Sequence, residues 1–296
     1  MLKILIFLFL DVLAFSGVLI STLPFLIHEY GGNILLITII FGSFSFFQFF
    51  TSPFWGSLSD RFGRKPLIIL NCFAEILANL ILAISGSLLM IFLSRIIAGL
   101  FKNKIYFQFK LMKKKILLPF FLVIFIVYFG FSGMEGIFAI WIKETFEWGP
   151  KEVGIVMLYA GLSQIIVQGF ILRILLKFFN EVQLIKSGIL FLIFGFLLIP
   201  TSNIYLVPVA IFFLCYGIGV TNPCLNSLVS KKCSKNEKGF ALGAAYSAQS
   251  ISRFIGQPAA GILFLFFGKD MPFYVNSTIL VLTIIFYLSL IKKVNK

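Results

Sequence analysis

The stretch GSLSDRFGRKP, Gly56 to Pro66, packs three cations and one acid into eleven residues. Apolar sequence flanks it on both sides, LITIIFGSFSFFQFFTSPFW before and LIILNCFAEILANLILAI after. Each flank is long enough, at about 20 residues, to cross the roughly 30 Å hydrocarbon core of a bilayer as a helix. The charged stretch therefore reads as a short link between two membrane spans. Gly56 and Gly63 let the backbone bend or approach closely where a side chain would obstruct, and Pro66 suits the first turn of the helix that follows.

Composition extends this reading to the whole chain. Of 296 residues, 60% are apolar, 17% aromatic and only 12% charged, whereas about a quarter of a soluble domain is charged. The expected fold is an all-α integral membrane bundle of about ten spans, at roughly 4–26, 33–55, 67–85, 88–101, 116–142, 152–172, 183–200, 204–229, 240–267 and 273–291. The fourth is short. Lys3, the run Ile4 to Leu10 and the small residues Ala14 and Ser16 loosely imitate a signal peptide. Asp11 and the continuation of the apolar run to Ile27 favour a retained first span.

Cations gather in cytoplasmic loops. Of the 25 Lys and Arg residues, 20 fall at one set of span ends and only Lys143, Lys151 and Lys269 at the other, with Arg95 and Arg253 inside spans. Both termini are thus expected in the cytoplasm, and the net charge of +14 belongs to membrane topology. No nucleic-acid partner is implied. The basic segment 102–115 suits contact with anionic lipid. Four cysteines without a CxxC pair indicate neither a disulfide framework nor a zinc site. The single histidine, His28 beside Glu29, reads as a solvated loop residue, and no cofactor is expected.

The link resembles the most specific signature of the major facilitator superfamily, G-x-L-[SA]-D-[RK]-x-G-R-[RK] between spans 2 and 3. Gly56, Leu58, Ser59, Asp60, Arg61, Gly63, Arg64 and Lys65 meet every fixed position. By that resemblance it is a cytoplasmic gating loop, its aspartate and arginines pairing with each other and with helix ends of the opposite half. Closer resemblance is to the tetracycline-resistance-like drug:proton antiporters. It is carried by FLDVLAFSGVLISTLP with Asp11 and Pro24, by FLSRIIAGL with Arg95, and by GMEGIFAIWIKETFEWGPKEVGIVML. Ser21 replaces the first proline of the family's span-1 pattern.

Ionisable groups within spans are expensive and usually face the bundle interior or a cavity. Asp11 and Arg95 lie at depths differing by about 6 Å at a rise of about 1.5 Å per residue. The functional reading is that they pair and that Asp11 exchanges a proton; the structural reading is a fixed ion pair. Spans 1 and 4 line the central cavity in the family. Glu135, among Gly130, Gly133 and Gly136, is a candidate for substrate or proton handling or for an interhelical hydrogen bond. Asn71, Glu75 and Asn79 form one polar stripe at i, i+4 and i+8, read as glue between helices. Ala244, Ala248, Ser252, Gly256 and Ala260 make a small-residue face that admits a close neighbour, with Arg253 beside it. SRFIGQPAAG, with Gly256, Pro258 and Gly261, resembles the packing segment of the family's span 11.

The superfamily is built from two six-span halves, and GFILRILLKFFNE looks like a worn second copy of the signature, Gly169 matching Gly56 and Arg173 matching Asp60. It recurs after four spans. The resemblance therefore implies a truncated N-terminal bundle over 1–101, a basic linker over 102–115 and a six-span C-terminal bundle over 116–296, with the family's spans 5 and 6 and their G-x-x-x-G-P-x-x-G-G signature absent. Two functional readings stay open. One is a transporter of the bacterial inner membrane, completed by self-association, that exports a small amphipathic drug-like compound in exchange for protons by alternating access. The other is an inactive or partly active remnant of such an antiporter. A membrane prenyl or acyl transferase would need an Asp-rich or His-containing motif at the membrane face, which the sequence lacks.

Overall fold

The computed structural model describes residues 19–62, 64–102, 117–234 and 238–294. Within them the chain forms helices α1 (Ile20–Glu29), α2 (Ile34–Phe62), α3 (Arg64–Ala83), α4 (Leu88–Phe101), α5 (Leu118–Phe146), α6 (Pro150–Phe178), α7 (Glu181–Leu198), α8 (Leu206–Lys231), α9 (Lys238–Phe267) and α10 (Met271–Val294). A helix lies in each of the ten apolar runs, the first described only from Ile20 onward. By length and composition, seven of the described helices can cross a membrane, while α4 and the Met271–Ile285 part of α10 are shorter. Asp11 lies outside the described residues.

The link between spans 2 and 3 differs from a loop. α2 stays helical through Phe62 and α3 begins at Arg64, so the signature forms the end of one helix and the start of the next. Gly63 falls outside the described residues, and Lys65 is exposed. The sequence read as a link because its charges end the apolar run, but charge at the water boundary does not stop a helix whose backbone bonds are internal.

Polar residues set the other ends. Ser87 caps α4 by accepting from the Met90 N–H at 3.4 Å. Asn180 and Gln183 form a reciprocal capping box on α7. Glu152 Oε2 accepts from the Gly149 N–H at 2.9 Å ahead of Pro150 in the first turn of α6. α5 closes on Glu147 in the left-handed region, φ 58°.

α5 is the axis of the bundle: 67% of its apolar 18-residue stretch is buried, against 17% for those of α3 and of α6. α9 packs along α5 on one side and along α2 on the other, so it joins the first four helices to the last six. Small residues permit this. A Cβ at Gly256 would sit 2.5 Å from the Phe129 carbonyl oxygen, and one at Gly133 would sit 3.0 Å from that of Gly256. A Cβ at Gly42 of α2 would meet the Phe254 carbonyl at 3.3 Å and the Pro258 ring at 3.4 Å, and one at Gly261 would collide with Thr38. Asn276 of α10 donates to the Gly130 carbonyl at 3.0 Å.

Candidate functional site

Contacts between the two helix groups gather toward the end of the bundle that is poor in cations. There α2 meets α9 through Thr38 and Gly261, Gly42 and Pro258, and the rings of Phe46 and Phe254, whose centroids lie 4.7 Å apart. Leu23, Ile27 and Ile37 are fully buried at the same end. Lys143 lies 3.4 Å from His28 Nδ1 and 5.8 Å above the Phe25 ring. Tyr30 Oη donates to the Ser85 carbonyl at 2.8 Å, and Trp141 Nε1 to Asp270 at 2.7 Å. His28 is thus not a loop residue: it stands exposed in the last turn of α1 beside Lys143, and it lines a shallow depression of about 590 Å³ with Glu144 and Lys269.

Deeper in the bundle the groups part around a central cavity of about 400 Å³. α5 contributes Tyr128, Phe131, Glu135 and Phe138 to its wall, residues spaced so that they share one helical face. α6 adds Met157 and Gln164, and α8 adds Ile218 and Asn222. α9 contributes Arg253, whose guanidinium lies 5.6 Å from the Tyr128 ring centroid. Phe44 and Gln48 come from α2 on the opposite side, and the cavity reaches the cation-rich end at Lys102.

Of the residues singled out from the sequence, Glu135 and Arg253 share this cavity. Among the described residues they form no ion pair within 4.0 Å with each other. Arg95 does not line the cavity as described: its Nε donates to Ser94 Oγ at 3.2 Å and its Nη2 to Asn79 Oδ1 at 3.4 Å. The polar stripe on α3 faces α4, because Asn79 holds Arg95 and Glu75 forms an ion pair with Lys102. Lys102, read from the sequence with the lipid-facing linker, is drawn back over the bundle by that carboxylate. Gly256, Pro258 and Gly261 lie at helix crossings, as described above.

The sequence reading missed Tyr128, Gln164 and Asn222. Tyr128, Phe131 and Phe138 could have been found by projecting the face of Glu135 through the helical period. Asn222 Oδ1 accepts from Gln249 Nε2 at 3.2 Å and from Asn226 Nδ2 at 3.1 Å, a polar knot between α8 and α9. Gln164 stands just before a π-helical turn at Val167–Ile171 that contains Gly169. Such turns interrupt α-helices frequently at functional sites.

The family model of the Major Facilitator Superfamily matches residues 4–106 and 120–296. The chain belongs to that superfamily. Among curated relatives, mouse solute carrier family 22 member 18 is 27% identical over 171 residues, 55% of this chain and 41% of its own length. The class H tetracycline resistance protein of Pasteurella multocida is 32% identical over 87 residues, 28% of this chain and 22% of its own. The quinolone resistance protein NorA of Staphylococcus aureus is 25% identical over 137 residues, 46% of this chain and 35% of its own. The matched stretches thus span less than half the length of these relatives. The crystal structure of the human organic anion transporter MFSD10 superposes with a TM-score of 0.74 at 18% identity, covering 94% of this chain and 96% of that one. The nucleoside transporter NupG superposes at 0.76 with 10% identity, covering 95% and 97%. At these identities the likeness shows the major facilitator fold alone.

Proposed function

We propose that this major facilitator protein is a secondary active transporter that exports a small amphipathic, drug-like compound in exchange for protons by alternating access. The observation that carries the proposal is the central cavity, lined by both helix groups and reaching Lys102. With the charge pattern expecting the cation-rich end in the cytoplasm, Lys102 marks the end from which cargo enters. Glu135 and Arg253 act on the cargo, and Asp11, at a depth close to that of Arg95 in a span that lines the family's cavity, carries the proton. The charged end of α2 and start of α3 bear Asp60, Arg61, Arg64 and Lys65, which engage the opposite group when the cytoplasmic side closes.

The alternative, a remnant without transport of its own, rests on one sequence observation, the four-span interval between the two signature copies. A second copy of the chain would compensate by covering α6, whose Ile155, Leu158 and Leu162 are exposed; lipid covers them otherwise. The test is drug-induced proton movement in inside-out vesicles containing the full chain, with a panel of compounds that includes tetracycline. Proton release driven by at least one compound, and absent from vesicles lacking the protein, is the expected result. No release with any compound, although the chain is present in the membrane, would establish the remnant reading.

A further inference from the structure

We propose that the central cavity is built for an amphipathic organic anion, with the carboxylate, sulfonate or phosphate of the ligand seated on Arg253. The inference names the cargo of the transport site proposed above, and it rests on that reading for what the bound anion is for.

An arginine inside a membrane bundle is normally paired or bound to backbone carbonyls, because a buried charge without a partner is costly. Arg253 departs from this. Its Nε is buried without a hydrogen-bond partner, and among the described residues it makes no ion pair within 4.0 Å. What it has instead is the Tyr128 ring at 5.6 Å and, beyond ion-pair distance, the charge of Glu135 on the same cavity. An aromatic face attracts a guanidinium without occupying its N–H donors, so the fork remains presented to whatever fills the cavity.

Among the described residues two other charged groups line the cavity. Lys102 is engaged by Glu75. Glu135 carries a charge it can shed by taking a proton, whereas a guanidinium stays protonated throughout the accessible range. Among these groups the charge that persists is therefore positive. A planar fork of donors fits a two-oxygen acid head better than any neutral acceptor. The remaining wall is apolar, with Phe131, Met134, Met157 and Ile218 facing the space, and about 400 Å³ falls within the range of sites that bury a drug-sized molecule. An anionic head on a hydrocarbon or aromatic body satisfies both parts.

The test uses the purified full chain in lipid nanodiscs and two radiolabelled probes with the same ring system and opposite charge, naphthylacetate and naphthylethylammonium. The expected result is binding of the acetate at least about tenfold tighter than of the ammonium. Arg253→Gln should weaken acetate binding by about tenfold or more, the loss expected when hydrogen bonds to a charged group are removed. Arg253→Lys should fall between, since it keeps the charge but loses the fork, and it carries the test if the glutamine variant fails to fold by melting and gel filtration. Glu135→Gln should tighten acetate binding by removing the opposing carboxylate. Preference for the ammonium, acetate binding unchanged by both Arg253 variants, or binding of neither probe would overturn the inference. Acetate binding through Arg253 in a chain that releases no protons in vesicles would keep the inference and remove the transport reading. Proton release driven only by cations would do the reverse.

Discussion

Gly256→Leu yields chain in the membrane but no stably packed bundle. The Cβ that any replacement adds at this position lies 2.5 Å from the Phe129 carbonyl oxygen and 3.1 Å from its carbonyl carbon and Cα. Those are backbone atoms of α5, so relief requires the two central helices to separate. Separation also lifts Gly133 off Gly256 and Ala260, because that contact belongs to the same crossing. Without a hydrophobic driving force between helices in lipid, close packing of small residues is itself the source of association. Gly256→Ala already overpacks the crossing at a cost of about 1–3 kcal/mol, and leucine adds three more carbons in the same direction. The control is Gly154→Ala on α6, where a Cβ would meet nothing within 4 Å; it should be neutral or stabilise the helix by up to about 1 kcal/mol. Thermal melts of the detergent-solubilised variants, read by gel filtration, check the pair. A Gly256→Leu protein that melts with the unmodified chain would show that α5 and α9 do not cross where the structure places them.

Asp11→Asn abolishes drug-induced proton release while leaving ligand binding in the cavity in place. The replacement keeps the size and most of the hydrogen-bonding capacity of the side chain and removes only its ability to carry a proton. Coupling requires one group whose proton occupancy changes between the two access states, and in this sequence Asp11 is the acid whose depth matches Arg95 in a span that lines the central cavity in the family. Release at least about tenfold below that of the unmodified chain, with naphthylacetate binding unchanged, is expected in inside-out vesicles. Unchanged release would assign the proton to another acid. If the cargo is a monovalent anion exchanged for one proton, each cycle also moves two charges. The membrane potential then contributes about 2.3 kcal/mol per charge per 100 mV to export.

How much of this could be read from residues alone depended on the kind of signal. Among the described residues helices stand where the apolar runs do, because a chain in lipid must satisfy its backbone internally, and a 20-residue apolar stretch leaves it little choice. Helix ends were less legible. Arg173 and Lys177 end the apolar run of α6 near residue 172, yet that helix continues to Phe178, and α2 likewise runs on to Phe62. Both ends lie where water tolerates charge on a helix. The small-residue stripe on α9 pointed to a close neighbour without naming it, since spacing records a face and not what lies against it; the neighbour is α5. Arg95 shows what depth leaves open. Depth suggested Asp11, which lies outside the described residues; within them Arg95 bonds to Asn79 and Ser94, partners that depth does not name because lateral position in a bundle is set by packing that no single span encodes. Tyr128 escaped notice because a tyrosine among many aromatic residues carries no mark of its own until Arg253 is placed above it.

The central claim is that the two helix groups rock about their shared crossing, exposing the cavity to one side and then the other. Spin labels at Ile84 and Tyr205 report across the cation-poor end, and labels at Phe62 and Phe178 across the cation-rich end; all four side chains are exposed. Pulsed electron resonance on each pair, with and without naphthylacetate and at both ends of the working pH range, measures the distances directly. Rocking changes the two distances in opposite directions, the Ile84–Tyr205 distance growing as the Phe62–Phe178 distance shrinks. Distances that stay fixed at both ends under every condition would mean a bundle that binds but does not alternate, and the transporter reading would fall.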